Sequence, residues 1–300
     1  MESRESKNLY KLNQEYLELY YSKDYQKIVN RKHRKLNIKN IFNQLRTGYF
    51  FHRIKTMFIP DEANVYIKEN YLNEVKADEK IAIYTVIAGN YDGLKEPLYV
   101  NSRCDYFVIT DQEIPTESIW KKIDISLINE ISDLTTNTEK ARYVKTHPHI
   151  LFKEYEYSIF IDGNLLIVAD LVPMIEQLGN KSIGIHYHPH NKCVYKEAKD
   201  IVALGKERLQ NVNRQISQYR SEGFPENYGL FETNVLVRRH NDKECIQLMN
   251  EWWNQMSIYT KRDQLSLTYC LWKTEIGVEQ VCVLGNNPRT NPRLRYYSHR

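Results

Sequence analysis

Three residues that could bind a metal ion come directly after an apolar run of the sequence. Asp162, Gly163 and Asn164 follow the segment SIFI. A carboxylate in that position is costly to remove from water unless a positive charge lies beside it. Two oxygen ligands at positions i and i+2, around a glycine that allows an unusual backbone, suit Mn²⁺ or Mg²⁺ bridging a diphosphate. The alternative interpretation is an Asp-Gly turn in a β-hairpin between YSIFI and LLIVA.

Positive side chains precede this acidic segment. Lys140, Arg142 and Lys145 are spaced so that one helix could present two or three of them together, and His149 follows shortly after. Cations beside an acidic metal site are what a diphosphate substrate requires, because its negative charge must be neutralised. A solvent-exposed basic helix face has the same spacing and is the alternative.

Histidines occupy alternate positions in the segment HYHPH. In a strand, His186, His188 and His190 would share one face and could bind zinc. Pro189 argues against a regular strand, and no neighbouring cysteine or carboxylate completes a zinc site. We therefore favour a role in which His188 faces a phosphate or an acceptor.

A further acid stands at a predicted helix start. The segment KRDQLS places Arg262, Asp263 and Gln264 in the first turn of a helix. A helix N-terminus positions a carboxylate well for chemistry, but it equally favours aspartate as a simple cap. The sequence has no GxGxxG, Walker A, GxSxG or HExxH motif, so the common cofactor-binding and hydrolase classes lose support.

The elements that must position these residues alternate between strands and helices. β-Rich runs occupy residues 81–88, 105–110, 157–162, 165–168, 182–186 and 234–239, and helical patterns occupy 137–154, 170–178, 192–221, 241–259 and 262–273. This order predicts an α/β fold with a mainly parallel sheet, whose ligands gather at the carboxyl ends of strands, where Asp111 stands. Asn241 with Glu244, and Thr260 with Asp263, have the spacing of capping boxes.

Composition narrows the class of protein. Hydrophobic residues make up 42% and charged residues 27% of the 300 residues, which is typical of a globular chain. No apolar run is long enough to span a membrane and no secretory signal is visible. The five cysteines are widely spaced and form no CxxC pair, which favours a reducing compartment. We therefore expect a soluble intracellular protein.

The positive charge is concentrated near the N-terminus. Residues 23–55 contain ten Lys/Arg against one acid, although the whole chain has a net charge of only +4. Helix spacing of apolar residues within 7–50 predicts a helical extension. A basic segment of this kind could bind anionic lipid head groups or nucleic-acid phosphates, and a solvated helix face or linker is the plain alternative. We expect the membrane surface to be its partner, and not nucleic acid.

Seven motifs occur in order between residues 81 and 285: YTVIAGNYDGL, CDYFVITD, ARYVKTHPH, YSIFIDGNLLI, the HP…CVYKEA segment, YRSEGFP with GLFETNVLVRRHN, and WWNQMSIYTKRDQLS. The set resembles a family of glycosyltransferase-like proteins that includes plant Golgi proteins of mucilage and pollen-tube biology and many bacterial relatives. The N-terminal extension lies outside this resemblance. The range of the resemblance divides the chain into a basic helical extension, residues 1–78, and a catalytic domain, residues 79–300.

The resemblance implies a GT-A fold, which is a Rossmann-like, mainly parallel mixed sheet flanked by helices. It also implies a nucleotide-sugar donor and Mn²⁺ or Mg²⁺ at an Asp-x-Asp motif. Asp162 matches the first aspartate of that motif and Asn164 takes the place of the second. This sequence departs from the family's HPxRxC motif at Asn191, where an arginine is expected. A contact to the diphosphate or acceptor is therefore either missing or supplied by Lys192.

The resemblance also assigns roles to individual residues. Asp263 would be the catalytic base of an inverting reaction, or would orient the acceptor in a retaining one. The residues expected at the nucleotide sugar are Tyr84, Thr85, Asp111, Arg142, Lys145, His149, Asp162, Gly163 and His188. The residues expected at the acceptor are Arg262, Gln264 and Glu232.

The sequence as a whole predicts a glycosyltransferase. It would move a sugar from a nucleoside diphosphate sugar to a polysaccharide or glycolipid acceptor, in the cytoplasm or at the inner face of a membrane. A catalytically inactive glycan- or membrane-binding relative is the alternative from another class, and Asn164 and Asn191 are the residues that favour it. A nucleotidyltransferase is a further alternative, and it would release pyrophosphate.

Overall fold

A computed structural model describes the chain over residues 69–72 and 74–297, together with residues 11, 12, 15, 41–46 and 50. Most of the basic segment 23–55 therefore lies outside the described residues. Helix α1 (Ile41–Arg46) lies against a later helix of the main domain.

Within the described residues, the main sheet has seven strands in the order β3-β2-β1-β4-β7-β6-β8. The strands are β1 (Ile81–Ile87), β2 (Cys104–Thr110), β3 (Lys121–Asp124), β4 (Tyr157–Ile161), β6 (Ile183–Tyr187), β7 (Phe231–Arg238) and β8 (Val281–Gly285). All are parallel to their neighbours except β7, which runs antiparallel to β4 and β6. The fold class is the mainly parallel α/β sheet that the sequence predicts.

The central strands are continuous apolar runs because both faces of the sheet are covered. Every residue of β4 is buried, and in β1 only Val86 is partly accessible. One core cluster packs between the sheet and a layer of long helices, and a second packs on the opposite face. A ligand can therefore reach the sheet at the ends of its strands and not at its covered faces.

The helices divide unequally between the two faces. They are α2 (Asn137–Thr146), α3 (Pro148–Leu151), α4 (Val172–Glu176), α5 (Val194–Ala203), α6 (Leu209–Ser221), α7 (Lys243–Ile258) and α8 (Asp263–Lys273). Apolar residues of α2 and α5 to α8 line the first cluster. The second cluster is covered by α4 and by a two-stranded antiparallel sheet of β5 (Leu165–Ile167) and β9 (Leu294–Tyr296).

Several predicted boundaries differ from the structure. The helical pattern 137–154 is interrupted at His147, because Pro148 cannot continue the preceding helix. The pattern 192–221 contains two helices, since Gly205 adopts a positive φ between them. The sequence reading missed β3, β8 and β9. The hairpin alternative at residues 157–168 is wrong, because β5 pairs with β9 and not with β4.

The predicted helix caps are also corrected. Asp242, not Asn241, precedes α7, and the Asn241 amide donates to the carbonyls of Lys153 and Tyr155. The hydroxyl of Thr260 donates to Gln215 and does not cap α8. A capping box exists instead at the start of α2, where other residues make the reciprocal bonds: Thr136 and Glu139.

The last part of the extension, residues 69–72, contacts the C-terminal segment and α4. Arg293 forms a buried ion pair with Glu69, with Nε 2.7 Å from Oε1, and Leu72 N donates to Glu176 O. Residues 69–72 therefore pack on the same domain as the sheet.

Two further observations concern membrane-spanning helices and cysteine pairing. No helix in the described part of the chain combines the length and apolar character needed to cross a bilayer. All five cysteines are described, and each is unpaired and buried.

Candidate functional site

Polar side chains from different elements meet at one edge of the main sheet. The carboxyl ends of the parallel strands lie there, and so does the amino end of β7, because this strand runs in the opposite direction. Asp162 follows β4, His188 follows β6, and Glu232 is the second residue of β7. The edge at which α/β sheets bind ligands therefore receives residues from both directions of the chain.

A chain of charges lies at this edge. Lys145 Nζ is 2.6 Å from Asp263 Oδ2 and 3.8 Å from Asp162 Oδ1, and Arg142 Nη1 is 3.0 Å from Asp263 Oδ2. The Lys145 side chain is 1% exposed, that of Asp263 10% and that of Asp162 31%. The structure thus brings together four of the predicted residues, with Asp162 the most accessible of them.

Asp263 is held in its ionised form. Burial acts to raise its pKa, but Arg142 and Lys145 outweigh burial and the pKa is lowered. Its backbone carbonyl also accepts a hydrogen bond from Trp252 Nε1 at 3.0 Å. A carboxylate that is paired with two cations and resists protonation is poorly suited to take a proton from an acceptor. This environment fits an anchor for the cations better than the predicted base.

Lys145 is positioned by a buried network beneath it. Its carbonyl accepts hydrogen bonds from Arg238 Nη1 at 2.8 Å and from the Tyr84 hydroxyl at 3.0 Å. Arg238 and Tyr84 are both fully buried. Tyr84 therefore cannot border a nucleoside as the resemblance implies, because its ring lies in the core, and the neighbouring Thr85 is 2% exposed.

The Asp162 turn packs closely on the exit of β1. A Cβ atom at Gly163 would lie 3.1 Å from Ile87 Cγ1 and 3.4 Å from the Cβ of Asp92. Gly163 does not have a positive φ, so close approach explains this glycine better than the unusual backbone predicted for it. Its carbonyl accepts from Lys95 Nζ at 2.7 Å, which fixes the turn against the β1 loop.

Asp111 organises the same loop. Its carboxylate accepts a hydrogen bond from the backbone N–H of Gly89, at 3.1 Å to Oδ1. Gly89 has φ +66°, and Asn90 follows with φ 59°, so the chain turns sharply as it leaves β1. Asp111 lies at the same edge as Asp162, and its present contact is with the loop backbone.

A second polar cluster surrounds His188. Glu197 Oε2 lies 3.5 Å and Glu232 Oε1 3.6 Å from His188 Nε2. His188 Nδ1 accepts from the backbone N–H of Asn191 at 2.9 Å, so a neutral ring carries its proton on Nε2, facing the two carboxylates. The other oxygen of Glu232 accepts from Gln264 Nε2. The carboxyl groups of Glu197 and Glu232 and the imidazole of His188 thus meet beside Gln264.

The protonation of this cluster follows from burial. Burial lowers the pKa of His188 to about 3, and nearby positive charges act in the same direction. Burial first, and then the adjacent Glu197, raise the pKa of Glu232 to about 7. His188 is therefore neutral near neutral pH, and its contacts with the two carboxylates are not ion pairs.

Asn191, which stands where the family pattern has arginine, supports this cluster. Its side-chain amide donates to Glu197 Oε2 at 2.6 Å and to Asp200 Oδ2 at 2.9 Å. Asn191 is 3% exposed, whereas Lys192 is exposed. The Asn191 side chain therefore has a structural contact, with two carboxylates of the protein itself.

Some predicted site residues lie elsewhere. His149 is half-buried on α3, near Arg238. Arg238 pairs with Ser158 near the start of β4, whereas Asp162 follows the end of that strand, so His149 lies at the opposite end of the sheet from Asp162. His186 is fully buried and contacts Asn291 through Nε2 at 3.1 Å. The alternating histidines thus do not form one surface.

Arg262, predicted in the first turn of this helix, is instead the residue that precedes α8, and its guanidinium contacts another segment of the chain. Its Nη2 donates to the carbonyl of Lys206 at 2.8 Å. This contact joins the start of α8 to the segment between α5 and α6, and Gln264, two residues later, is the residue of this helix that reaches Glu232.

The donors at Asp162 are compatible with a divalent ion that is shared with a substrate. The Asp162 carboxylate is partly accessible, and Asn164, two residues later, is buried under the same turn. Within the part of the chain that the structure describes, no three His, Cys, Asp or Glu side chains could enclose an ion by themselves. The remaining ligands would therefore be diphosphate oxygens and water, as is common for Mg²⁺.

Glu197 is the member of the site that sequence reasoning missed. It lies in α5 within the segment CVYKEA, which contributes to the family resemblance, but it follows no strand and has no neighbouring acid in the sequence. The only signal for it was its place in that motif.

The fold and the site together define a class. A mainly parallel sheet whose carboxyl edge gathers cations, an accessible aspartate and a carboxylate cluster is the framework of an α/β enzyme acting on a charged ligand. The match to the family described as TOD1/MUCI70, glycosyltransferase-like domain, covers residues 33–287. The chain belongs to this family of glycosyltransferase-like proteins, and the family extends further into the N-terminal segment than residue 81.

Particular relatives are distant. The chain is 25% identical over 232 residues to the probable hexosyltransferase MUCI70 of Arabidopsis thaliana, which covers 67% of this chain and 39% of that protein. The chain thus spans about two fifths of this relative's length. The apo structure of the bifunctional glycosyltransferase WbbM aligns with TM-score 0.47 and 13% identity, over 84% of this chain and 54% of that one. Mouse xyloside xylosyltransferase 1 aligns with TM-score 0.41 and 11% identity, over 68% and 85% respectively.

Proposed function

We propose that this protein transfers a sugar from a nucleoside diphosphate sugar to a carbohydrate acceptor, a polysaccharide or glycolipid. The observation that carries the proposal is the contact of Lys145 with both Asp162 and Asp263 at the carboxyl edge of the sheet, in a member of a glycosyltransferase-like family. The buried cation and the accessible aspartate lie where the diphosphate of a donor would be held.

Each residue of the charge chain has a part in this reaction. Asp162, with the Asn164 amide oxygen, would hold Mn²⁺ or Mg²⁺, and such an ion neutralises charge on the leaving diphosphate. Lys145 and Arg142 would donate to diphosphate oxygens as negative charge develops on them. Asp263 keeps both cations in place before the substrate arrives, so their reorganisation during the reaction is small.

The acceptor would enter from the His188 side of the edge. Gln264 and Glu232 present an amide and a carboxylate there, and these groups can bind sugar hydroxyls. The positions of the two clusters along the sheet edge support a donor at the Asp162 end and an acceptor at the other end.

We also propose that the enzyme works in the cytoplasm at the inner face of a membrane. The ten Lys/Arg against one acid in residues 23–55 support this location, because such a segment is attracted to anionic lipid surfaces, where lipid-linked acceptors reside.

The test is release of free nucleoside diphosphate from a panel of sugar nucleotides, with Mn²⁺, with Mg²⁺ and with EDTA. Asp162→Ala is compared with Asp133→Ala, which changes an exposed aspartate of the described surface. We expect metal-dependent release from one donor, lost in Asp162→Ala by a factor of about 100 or more and kept in Asp133→Ala.

Other outcomes would point to the alternative functions. Release of pyrophosphate instead of nucleoside diphosphate would indicate a nucleotidyltransferase. No release from any donor, together with no nucleotide binding by calorimetry, would contradict the proposed function and favour an inactive glycan-binding relative.

A further inference from the structure

The carboxylates beside His188 have no part in the diphosphate chemistry described above. Glu232 Oε1 and Glu197 Oε2 lie 3.6 and 3.5 Å from the same His188 Nε2. The Glu232 side chain is 19% exposed and that of Glu197 only 7%. Glu232 is therefore the member of this pair that is more accessible to a ligand at this edge of the sheet.

Contacts run continuously from the diphosphate end to this carboxylate. Lys145 binds Asp263, the next residue in the chain is Gln264, and the Gln264 amide donates to Glu232 Oε2. In a nucleoside diphosphate sugar the sugar is bonded directly to the diphosphate. A donor whose diphosphate lies at Lys145 and whose nucleoside points towards Asp111 would place its sugar ring next to Gln264 and Glu232.

The two ends of the site differ in charge. The groups that face Glu232 are Glu197 on α5, neutral His188 after β6, Asp263 on α8, Asp162 after β4, and Arg289 from the C-terminal segment. Asp263 and Asp162 belong to the charge chain at the other end, so at this end Glu197 and Glu232 itself stand against Arg289. At the other end, Arg142 and Lys145 balance Asp263 and Asp162, and a bound divalent ion would make that end positive.

This polarity matches the charge that glycosyl transfer creates. The bond from the sugar carbon C1 to the phosphate oxygen breaks and its electron pair leaves with the diphosphate. Positive charge then develops on the ring, in an oxocarbenium-like state. The acceptor oxygen bonds to C1 and its proton passes to the departing diphosphate. A preorganised carboxylate beside the ring stabilises that positive charge.

We propose that Glu232 is a catalytic residue whose carboxylate lies against the transferred sugar and stabilises its positive charge in the transition state. This inference rests on the proposed function. It assigns to Glu232 a role in the chemical step, in addition to the acceptor contact proposed above. Glu232 forms no covalent bond and carries no proton in this step.

The experiment compares the full-length wild type with Glu232→Gln and with Glu226→Gln, which removes a surface charge that pairs with Arg220. Glutamine keeps the size of the side chain and an oxygen that can accept from Gln264. For the donor identified in the panel, kcat is measured between pH 5.5 and 9, and donor binding is measured by calorimetry.

We expect Glu232→Gln to lower kcat about 100-fold, since loss of one preorganised electrostatic group typically costs this much, with donor affinity unchanged within about threefold. The wild-type kcat should fall as the pH drops through about 7, because burial and Glu197 raise the pKa of Glu232 to about 7. This acidic limb should disappear in Glu232→Gln and persist in Glu226→Gln.

Stability separates this role from a structural one. Because the folded protein disfavours the ionised form of Glu232, the amide variant should have a higher Tm than wild type at pH 8. A variant that is more stable and less active supports the proposal. A folded Glu232→Gln that keeps kcat within about threefold overturns it while leaving the glycosyltransferase intact, whereas a wild type that uses no donor overturns the proposed function itself.

Discussion

Lys145 is the residue on which the charged site depends. Its side chain is 1% exposed, with Nζ 2.6 Å from Asp263 Oδ2 and 4.9 Å from the ring centre of Phe160. A buried ammonium is tolerated only if acids and polarisable groups replace the water that it loses. Asp263 is also the ion-pair partner of Arg142, so one carboxylate compensates the burial of two cations.

The first residue-scale prediction follows from this sharing. Asp263→Asn leaves Lys145 and Arg142 without their common counterion, and breaking a buried pair in this way typically costs about 3–5 kcal/mol. Lys145→Met should cost less, because Asp263 keeps Arg142 as its partner. The measurement is the free energy of unfolding in urea at pH 7.

A surface pair provides the control. Glu226→Gln breaks an exposed contact with Arg220 and should change the free energy of unfolding by less than about 1 kcal/mol. If Asp263→Asn were as small in effect as this control, the charge chain would not be the stabilising feature described here.

At the scale of elements, two features of the chain bring the site together. Arg142 and Lys145 share one face of α2 because they are three residues apart, and the capping box at Thr136 and Glu139 starts this helix. The second feature is β7, whose reversed direction brings the start of the strand, with Glu232, to the edge where the parallel strands end. Its register with β6 shifts between Ile185 and His186, as is common for irregular strands near active sites.

The prediction at this scale concerns the basic N-terminal segment. Replacing its cluster of five cations, Arg31, Lys32, Arg34, Lys35 and Lys39, with glutamine should weaken binding to vesicles that contain anionic lipid. Each cation near such a surface contributes about 1 kcal/mol, so we expect the loss to exceed 100-fold at low salt and to shrink as salt rises. Co-sedimentation with anionic and with neutral vesicles measures it.

The control of matched charge is full-length protein with five exposed lysines outside this segment, Lys76, Lys153, Lys199, Lys243 and Lys273, changed to glutamine. Equal binding of the wild type and the five-residue variant to anionic vesicles would rule out this segment as the membrane anchor.

At the scale of the whole molecule, both faces of the sheet carry buried cores, and histidines are enclosed with them. Burial lowers the pKa of His147 and His240 to about 4 and that of His186 to about 3. In an unfolded chain each histidine would titrate near 6.5. Between pH 6.5 and about 4, the unfolded state therefore binds protons that the folded state refuses, and stability falls as the pH falls.

The size of this effect can be predicted. Each histidine contributes about 1.4 kcal/mol per pH unit below 6.5, so the three together should lower the free energy of unfolding by about 4 kcal/mol between pH 7 and 5.5. His188 adds to the loss of stability as the pH falls. Glu232 has a raised pKa, so its protonation stabilises the folded state over the same range, and these two opposite contributions nearly cancel. Urea unfolding at both pH values measures the difference.

His240→Gln is the matched test of the cause. The His240 ring contacts the carbonyl of Phe152 through Nε2 at 2.9 Å, and a glutamine amide can donate to the same carbonyl. The variant should lose about one third of the pH dependence. An unchanged pH dependence would place its origin in other groups.

The local content of the sequence determined much of this protein. Apolar β-rich runs predicted five strands of the main sheet, and the order of the motifs predicted the family, because these properties depend on neighbouring residues. The strands β3 and β9, of four and three residues, were missed because so few residues show no period of their own, and β8 was missed although it is as long as β4.

Only the tertiary structure decided which residues meet. Lys145 and Asp263 are 118 residues apart in the chain, and Glu197 and Glu232 lie on different elements, so no local pattern shows that these groups are partners. Burial likewise places Tyr84 in the core, where its hydroxyl donates to the Lys145 carbonyl, and two neighbouring cations lower the pKa of Asp263. The protonation and role of a side chain depend on the charges and water around it, and these are set by packing between distant segments.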